Sequence, residues 1–282
     1  MIELEPAFYP EALELLRQSP INTLFAESVL LKKVSGKLYG DHPANPRTFY
    51  VVHPYGMSLL FGEPGSPAFQ QAFIEYVTGM SGKRTFTEWL QADPAEAWEA
   101  WTDSVMEICN REVSRGSGTK ETGGQQIERS VRVNFAFDRD QYATGKKNVV
   151  PPAGELVRTD ETLFEALQGA VVPRYFWRDA KHFASEGAGF TLLHGGAPAS
   201  TAFSSCRIGS KLEIGIETTA EYRGTGYAYA VCSALIDYCL AHDLEPVWAC
   251  RRDNEGSYRL AVRLGFRPTY TLPYYRLPLD LK

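Results

Sequence analysis

Residues 221–231 read EYRGTGYAYAV, and the fold turns on them. Arg223 stands before two glycines, Gly224 and Gly226, and small and aromatic residues follow from Tyr227. A helix N-terminus offers several backbone N–H groups with the helix dipole behind them, so it attracts a phosphate. Side chains would block the approach, so glycine or alanine is expected where the backbone closes in, as at Gly224, Gly226 and Ala228. The helix that follows carries a stripe of Tyr227, Val231, Ala234, Leu235 and Tyr238, and Ala230, Ile236 and Leu240 extend it. A helix buried on so much of its surface holds its loop rigid. A dinucleotide would use the same glycines with Asp243 or Glu245 downstream. Two features remove it: Tyr229 occupies the third glycine position, and only some fifty residues follow the loop, whereas a dinucleotide fold places it after the first strand.

Outward from the loop, 211–218 (KLEIGIET) alternates Leu212, Ile214 and Ile216 against Glu213, Gly215 and Glu217, which predicts a half-buried strand. Downstream, 246–251 reads as a strand, 256–264 as a helix and 268–277 as a last strand. Upstream come a short strand at 155–157 and a helix to 167 capped by Thr159 or Asp160. A further helix opens at Pro173 and ends at Gly187, and strands 189–194 and 200–207 turn at Gly195-Gly196. The order β, α, α, β, β, β, α, β, α, β predicts a mixed sheet with helices on both faces, an α/β (α+β mixed) class.

The first half reads as a helix at 11–16, a strand at 34–40 and a hairpin at 48–62. An amphipathic helix at 66–77 follows, with Ser66 as cap and Pro67 at its first position. A helix at 94–113 carries Trp98, Trp101, Val105 and Ile108 on one stripe, and 131–137 alternates as a strand. Residues 115–126 hold no apolar side chain and read as a loop; their lysine lacks the spacing of a phosphate loop. The polar stretch 138–148 runs into Val149-Val150-Pro151-Pro152, so a boundary is expected near 140–152, with domains 1–145 and 146–282.

Two domains also suit 282 residues. The net charge of −5 and basic clusters no larger than pairs exclude the footprint of a nucleic-acid binder. The N-terminal stretch is acidic and no apolar run approaches a membrane span, so a cytoplasmic protein with no membrane partner is expected. Five cysteines, an odd number with no C-x-x-C pair, argue against a disulfide framework or a zinc knuckle. Cys250 reads as core packing, and His182 and His194 lack ligand spacing, so no metal is expected.

The spacing Arg223-x-x-Gly226-x-Ala228, between an alternating strand and a long helix, resembles the acyl-CoA-binding motif of the GNAT N-acetyltransferases. Asn254-x-x-Ser257, opening a helix that ends in Leu264-Gly265-Phe266, resembles the second signature of that family. The element order over 155–277 matches the GNAT fold throughout. The words FW (176–177), EIGIET, YRGTGYA, ALIDYC, Trp248-x-Cys250 and Asn254-x-x-Ser257 resemble a narrower branch, related to zwittermicin A resistance acetyltransferases. That branch carries an extra N-terminal domain, here residues 1 to about 145, an α/β domain without a CoA motif that reads as a degenerate GNAT-like repeat.

The resemblance implies an acetyl-CoA-dependent transfer to the amine of a small molecule, with no metal, and leaves a homodimer open. Strands 211–218 and 246–251 would splay, and the pantetheine would pair with the former near Ile216, Glu217 and Thr218. The pyrophosphate would sit on the amides of Arg223, Gly224, Thr225, Gly226, Tyr227 and Ala228, with Arg223 a loop brace rather than a catalyst. Asn254 would contact the pantetheine or cap the last helix, and Ser257 joins it on the cofactor side. Glu213 is the favoured general base, with Glu217 kept beside it. The tyrosine that serves many relatives as acid is replaced by Ala261, which leaves Tyr258 and Ser257 as candidates. A non-catalytic acyl-CoA sensor is the alternative, and the missing tyrosine is what speaks for it.

Overall fold

In a computed structural model that describes residues 1–116, 126–146 and 153–279, the chain forms two compact units, Met1–Arg132 with Thr271–Lys282 and Val133–Tyr270. The division falls inside two strands, Glu128–Phe137 and Phe266–Leu277. The first unit therefore takes back the end of the chain, which a cut at 145/146 does not contain. Of the loop expected at 115–126, residues 117–125 lie outside the described residues.

The first unit contains β1 (Ile2–Glu3), α1 (Tyr9–Leu16), α2 (Leu24–Leu30), β2 (Lys37–Gly40), β3 (Thr48–Val52), β4 (Met57–Gly62), α3 (Pro67–Val77), β5 (Glu88–Asp93), α4 (Ala95–Gly116) and the start of β6 (Glu128–Phe137). Its strands lie in the order β1-β2-β3-β4-β5, and Tyr275 to Leu277 of the last strand pair antiparallel with β5. The parallel neighbours β4 and β5 hold register from Met57↔Trp89 to Phe61↔Asp93. The helix joining them, α3, starts as expected: the Ser66 hydroxyl accepts from the Phe69 N–H at 3.3 Å, with Pro67 next. Aromatic side chains dominate the core, with Tyr39, Tyr50, Phe73 and Trp98 fully buried. Three elements, β1, α2 and β5, are additions to the sequence reading.

The second unit holds the rest of β6, then α5 (Arg139–Lys146), β7 (Glu155–Arg158), α6 (Glu161–Ala166), α7 (Ala180–Glu186), β8 (Gly189–His194), β9 (Ala197–Ile208), β10 (Lys211–Thr218), α8 (Tyr227–Ala241), β11 (Glu245–Arg251), α9 (Glu255–Arg263) and the start of β12 (Phe266–Leu277). Its strand order is β7-β8-β9-β10-β11-β6-β12. The α6 cap is Asp160, whose carboxylate accepts from the Leu163 N–H at 2.8 Å. The single helix expected from Pro173 to Gly187 is two pieces: a 3-10 turn at Pro173–Tyr175, then α7. Asp179 makes the break, because its carboxylate accepts from the His182 N–H at 2.7 Å and starts a new helix. Part of the polar stretch expected as a linker is α5, anchored by the buried Tyr142, whose hydroxyl donates to Ser233 O at 3.0 Å and also bonds Asp237.

Helix α8 is the spine of this unit. Tyr227, Tyr229, Val231, Cys232, Leu235, Ile236 and Cys239 are all buried, so it has apolar cover on more than one face. All five cysteines are buried, and none forms a disulfide among the described residues. Burial pushes the Cys239 thiol up to about 12 and Cys232 higher still, so neither is a nucleophile at neutral pH. The Leu264-Gly265-Phe266 turn also has a physical reason. Gly265 has φ +86°, and a Cβ there would stand 2.7 Å from Tyr142 N and 2.9 Å from Asp138 O, so neither conformation nor space admits a side chain.

Candidate functional site

Strands β10 and β11 pair in parallel over Lys211↔Glu245, Leu212↔Pro246 and Glu213↔Val247. Both run on past that register, β10 to Thr218 and β11 to Arg251. Throughout, β10 stays paired with β9 on its other side, up to Thr218↔Ser200. The edge of β10 from Ile214 onward therefore faces β11 outside the paired register. In the first unit the equivalent strands β4 and β5 remain in register to their ends.

The helix that follows each parallel strand differs in the same sense. The N-terminus of α3 is closed by its own Ser66 hydroxyl and by Pro67. The N-terminus of α8 is capped by Gly226, at φ +90° and with no side-chain cap. The first N–H groups of a helix have no partner within it, so those of α8 are available to a ligand. Gly224 has φ +80°, and a Cβ built on Gly224 or Gly226 would meet nothing within 4 Å. Glycine is demanded here by conformation, not by crowding from the chain, and the space over the loop is open.

The loop is braced from several sides. Arg223 Nε donates to Thr218 O at 3.1 Å, while most of its side chain is exposed. Thr225 turns its hydroxyl onto Tyr222 O and does not line the cleft. Tyr222 and Tyr227 stack with centroids 5.2 Å apart and planes within 7°. His194, at the end of β8, hydrogen-bonds the Tyr227 hydroxyl at 2.7 Å, a brace that the sequence reading did not assign.

A cleft of about 650 Å³ opens over the unpaired edge of β10, a volume ordinary for a small-molecule site. It gathers Ile216, Glu217 and Thr218 from β10, Arg223, Gly224, Gly226, Tyr227 and Ala228 from the loop and α8, and Asn254 and Ser257 from α9. Glu213 and Tyr258 do not line it. Glu213 is buried at the last paired position of β10, and Tyr258 packs edge-on to Phe135 at 5.3 Å, on the core side of α9. On β10 the side chains alternate: Ile214 and Ile216 join the core cluster with α8, while Glu213, Gly215 and Glu217 point to the opposite face.

Several polar groups of the cleft are already committed. Asn254 Oδ1 accepts from the Ser257 N–H at 3.2 Å and caps α9. The Ser257 hydroxyl accepts from the Trp248 indole at 3.2 Å, which leaves its own proton free to donate elsewhere. Glu217 Oε2 accepts from the Ala170 and Val171 N–H groups, both at 2.9 Å, and Oε1 lies 3.7 Å from Arg223. Sequence reasoning missed Arg259 and Arg263, four apart on α9, which also line the cleft. Arg263 lies 4.5 Å above the ring of Tyr229, a lining residue whose buried hydroxyl has no hydrogen-bond partner among the described residues. With Arg223 they put three arginines in the wall, of which Arg259 is paired with Glu255 at 2.6 Å and Arg223 faces Glu217, a basic wall suited to a polyanion. No group of three or more metal-ligating side chains occurs among the described residues, and no helix there is long and apolar enough to cross a membrane.

The family model described as GNAT acetyltransferase matches residues 14–275. A protein of Bacillus subtilis (strain 168), described as the uncharacterized N-acetyltransferase YdfB, is 28% identical over 257 residues, 89% of each chain. The solved structure of a GCN5-related N-acetyltransferase-like protein from Streptococcus suis 89/1591 superposes with a TM-score of 0.69 at 21% identity, covering 96% of this chain and 99% of its own. A tandem GNAT protein from the clavulanic acid biosynthesis pathway gives 0.56 at 13% identity, over 98% and 97%. Both structural likenesses are of fold, and both extend across the two units.

Proposed function

Because the chain belongs to the GNAT acetyltransferase family, we propose that it moves an acetyl group from acetyl-CoA to a primary amine of a small molecule, by direct attack of the amine on the thioester. The observation that carries this reading is the parting of β10 from β11 after Glu213↔Val247, beside a helix N-terminus with no side-chain cap among the described residues. Bound acetyl-CoA supplies an acyl group already activated as a thioester. The residues present fit it: uncapped amides at 226–228 for the pyrophosphate, three arginines for its anionic charge, and an open strand edge at 214–218 for the amides of the pantetheine arm.

The roles of individual side chains follow from what each already holds. Backbone N–H groups on the free edge of β10 near Ile216 polarise the acyl carbonyl. Ser257, its oxygen engaged by Trp248, directs its hydroxyl proton to the leaving sulfur. Glu213 stands buried at the point of divergence, on the strand face opposite α8 and outside the cleft lining, and takes the proton of the amine through water. Glu217 is a positioning residue, because its carboxylate is occupied by two amides of the 167–172 segment and faces Arg223. Asn254 fixes the start of α9 and thereby Ser257. Tyr258, turned to the core, takes no part, and the protein operates in the cytoplasm.

Ligand-dependent melting tests the donor. A ligand that binds only the folded state raises stability with concentration. Acetyl-CoA is expected to raise the melting temperature and NAD to leave it unchanged. No shift with any acyl-CoA overturns the proposal.

A further inference from the structure

The first unit contains a second cleft, of about 630 Å³, that plays no part in the chemistry above. Its wall combines carboxylates with apolar surface. Glu11 and Glu14 come from α1, Glu63 follows β4, and Asp93 ends β5. Arg47 is the one basic side chain in the wall and is paired with Glu63 at 3.3 Å, so three carboxylates are left uncompensated. Phe49 and Phe61 stack on each other at 5.2 Å and supply an aromatic side to the same space.

Asp93 distinguishes this cleft from an ordinary acidic surface. It is only 6% exposed, yet it lines the cleft. Ser19, also in the wall, hydrogen-bonds to its carboxyl group, but Oδ1 is buried without a partner among the described residues. A buried carboxylate oxygen without a donor costs free energy unless something arrives to meet it. Burial raises the pKa of this carboxyl, as expected of an acid lacking its counter-charge. A cationic N–H donor satisfies both deficits at once, while the ring pair and neighbouring Leu15 and Leu16 cover an apolar body.

We infer that this cleft binds a small organic cation, a primary amine with an aromatic or aliphatic body, through an ammonium–carboxylate contact at Asp93. The site is separate from the acyl-CoA cleft, so it is occupied whether or not the chain transfers an acetyl group.

Calorimetric titration of the full chain tests it, with phenethylamine as the probe and phenethyl alcohol and phenylacetate as neutral and anionic isosteres. Saturable binding of the amine alone is expected. Asp93→Asn should weaken it about tenfold or more, as for loss of a charged hydrogen-bond partner. Glu11 and Glu14 are exposed, so the double variant E11Q/E14Q keeps the fold and should weaken binding by several-fold through charge alone. Glu213→Gln should leave it unchanged, which separates this cleft from the proposed acceptor side of the other unit. Equal binding of the alcohol, unaltered binding to both first-unit variants, loss in Glu213→Gln, or no saturable amine binding would each overturn the inference.

Discussion

The carboxylate of Glu217 accepts a hydrogen bond from the backbone N–H of Val171 at 2.9 Å, across 46 positions of sequence. The same oxygen holds Ala170, and the other faces Arg223, so one side chain ties β10, the 167–172 segment and the glycine loop together. Each charge-assisted bond of this kind contributes about 1.5–3 kcal/mol at most, less here because the side chain is partly exposed. Glu217→Ala should therefore lower the melting temperature by several degrees, at about 2–4 °C per kcal/mol, and raise KM for acetyl-CoA. Glu217→Gln still presents an acceptor oxygen and should behave nearly as wild type in kcat. If Glu217→Gln costs as much in kcat as Glu213→Gln, Glu217 is the base and its assignment as a positioning residue fails.

Two glycines with nearly the same φ should respond differently to alanine. Gly226 has open space above it, so Gly226→Ala meets only the left-handed backbone penalty, about 1–2 kcal/mol. The variant should fold, with acetyl-CoA binding weakened as the loop distorts. Gly265 adds backbone contacts under 3 Å to Tyr142 N and Asp138 O. Gly265→Ala should be the more destabilised of the two, as read by thermal melts without ligand. The reverse order would contradict the reading of Gly226 as a ligand-facing turn.

Ser257 and Trp248 make a directed pair, because the indole can only donate. Ser257→Ala removes the hydroxyl proposed as the proton donor to the leaving sulfur. A loss in kcat near the low end of general-acid effects, roughly 10²-fold, is expected with KM for acetyl-CoA changed little. Tyr258→Phe should leave kcat unchanged, since its ring packs on Phe135. A large kcat loss in Tyr258→Phe with an active Ser257→Ala would exchange the two roles.

His53 gives the first unit a pH-dependent stability. Burial holds its imidazole down to about 3, against 6.5 ordinarily, and the Tyr55 N–H donates to Nδ1 at 3.0 Å. Above pH 6.5 the ring is neutral in both folded and unfolded chains, and its contribution is complete. As pH falls from there toward 3, only the unfolded chain takes the proton, so stability drops by up to about 1.4 kcal/mol per pH unit. Denaturant melts from pH 7 to 4 should show this slope reduced in His53→Asn. Parallel slopes for the two proteins would remove His53 as the source.

The second unit was the more legible half. The loop at 221–231, the alternating strand 211–218 and the Leu-Gly-Phe turn each place special residues where the backbone needs them, so family and fold could be read from local pattern. Of the two readings of Asn254, the cap is seen in the 3.2 Å bond from the Ser257 N–H, and the residue also lines the cleft, where the pantetheine contact would be made. What stayed hidden depends on burial or on distance along the chain. All seven residues of α2 are buried, so it shows no helical alternation. Strand β5 buries Glu88, Gln91 and Asp93, polar residues that mask a strand pattern. Glu88 is there because Tyr50 and Tyr76, distant in sequence, donate to it. The clamp of Glu217 on Ala170 and Val171, and the stacking of Arg263 on Tyr229, likewise join segments that no spacing rule connects. Tyr258 stood as a candidate acid through the resemblance alone, and its contact with Phe135, distant in sequence, turns it inward.

Thiol release measures directly the catalysis proposed at the point where β10 and β11 part. Acetyl-CoA is incubated with the full chain and a panel of small primary amines, and free CoA thiol is followed together with acetylated amine. Thiol and acetylated amine should appear one for one with at least one amine, with a large fall in kcat in Glu213→Gln and unchanged acetyl-CoA binding in that variant. Acetyl-CoA binding with no thiol release across the panel, or full turnover by Glu213→Gln, would contradict the proposed mechanism and leave a CoA-binding sensor in the first case and a different base in the second.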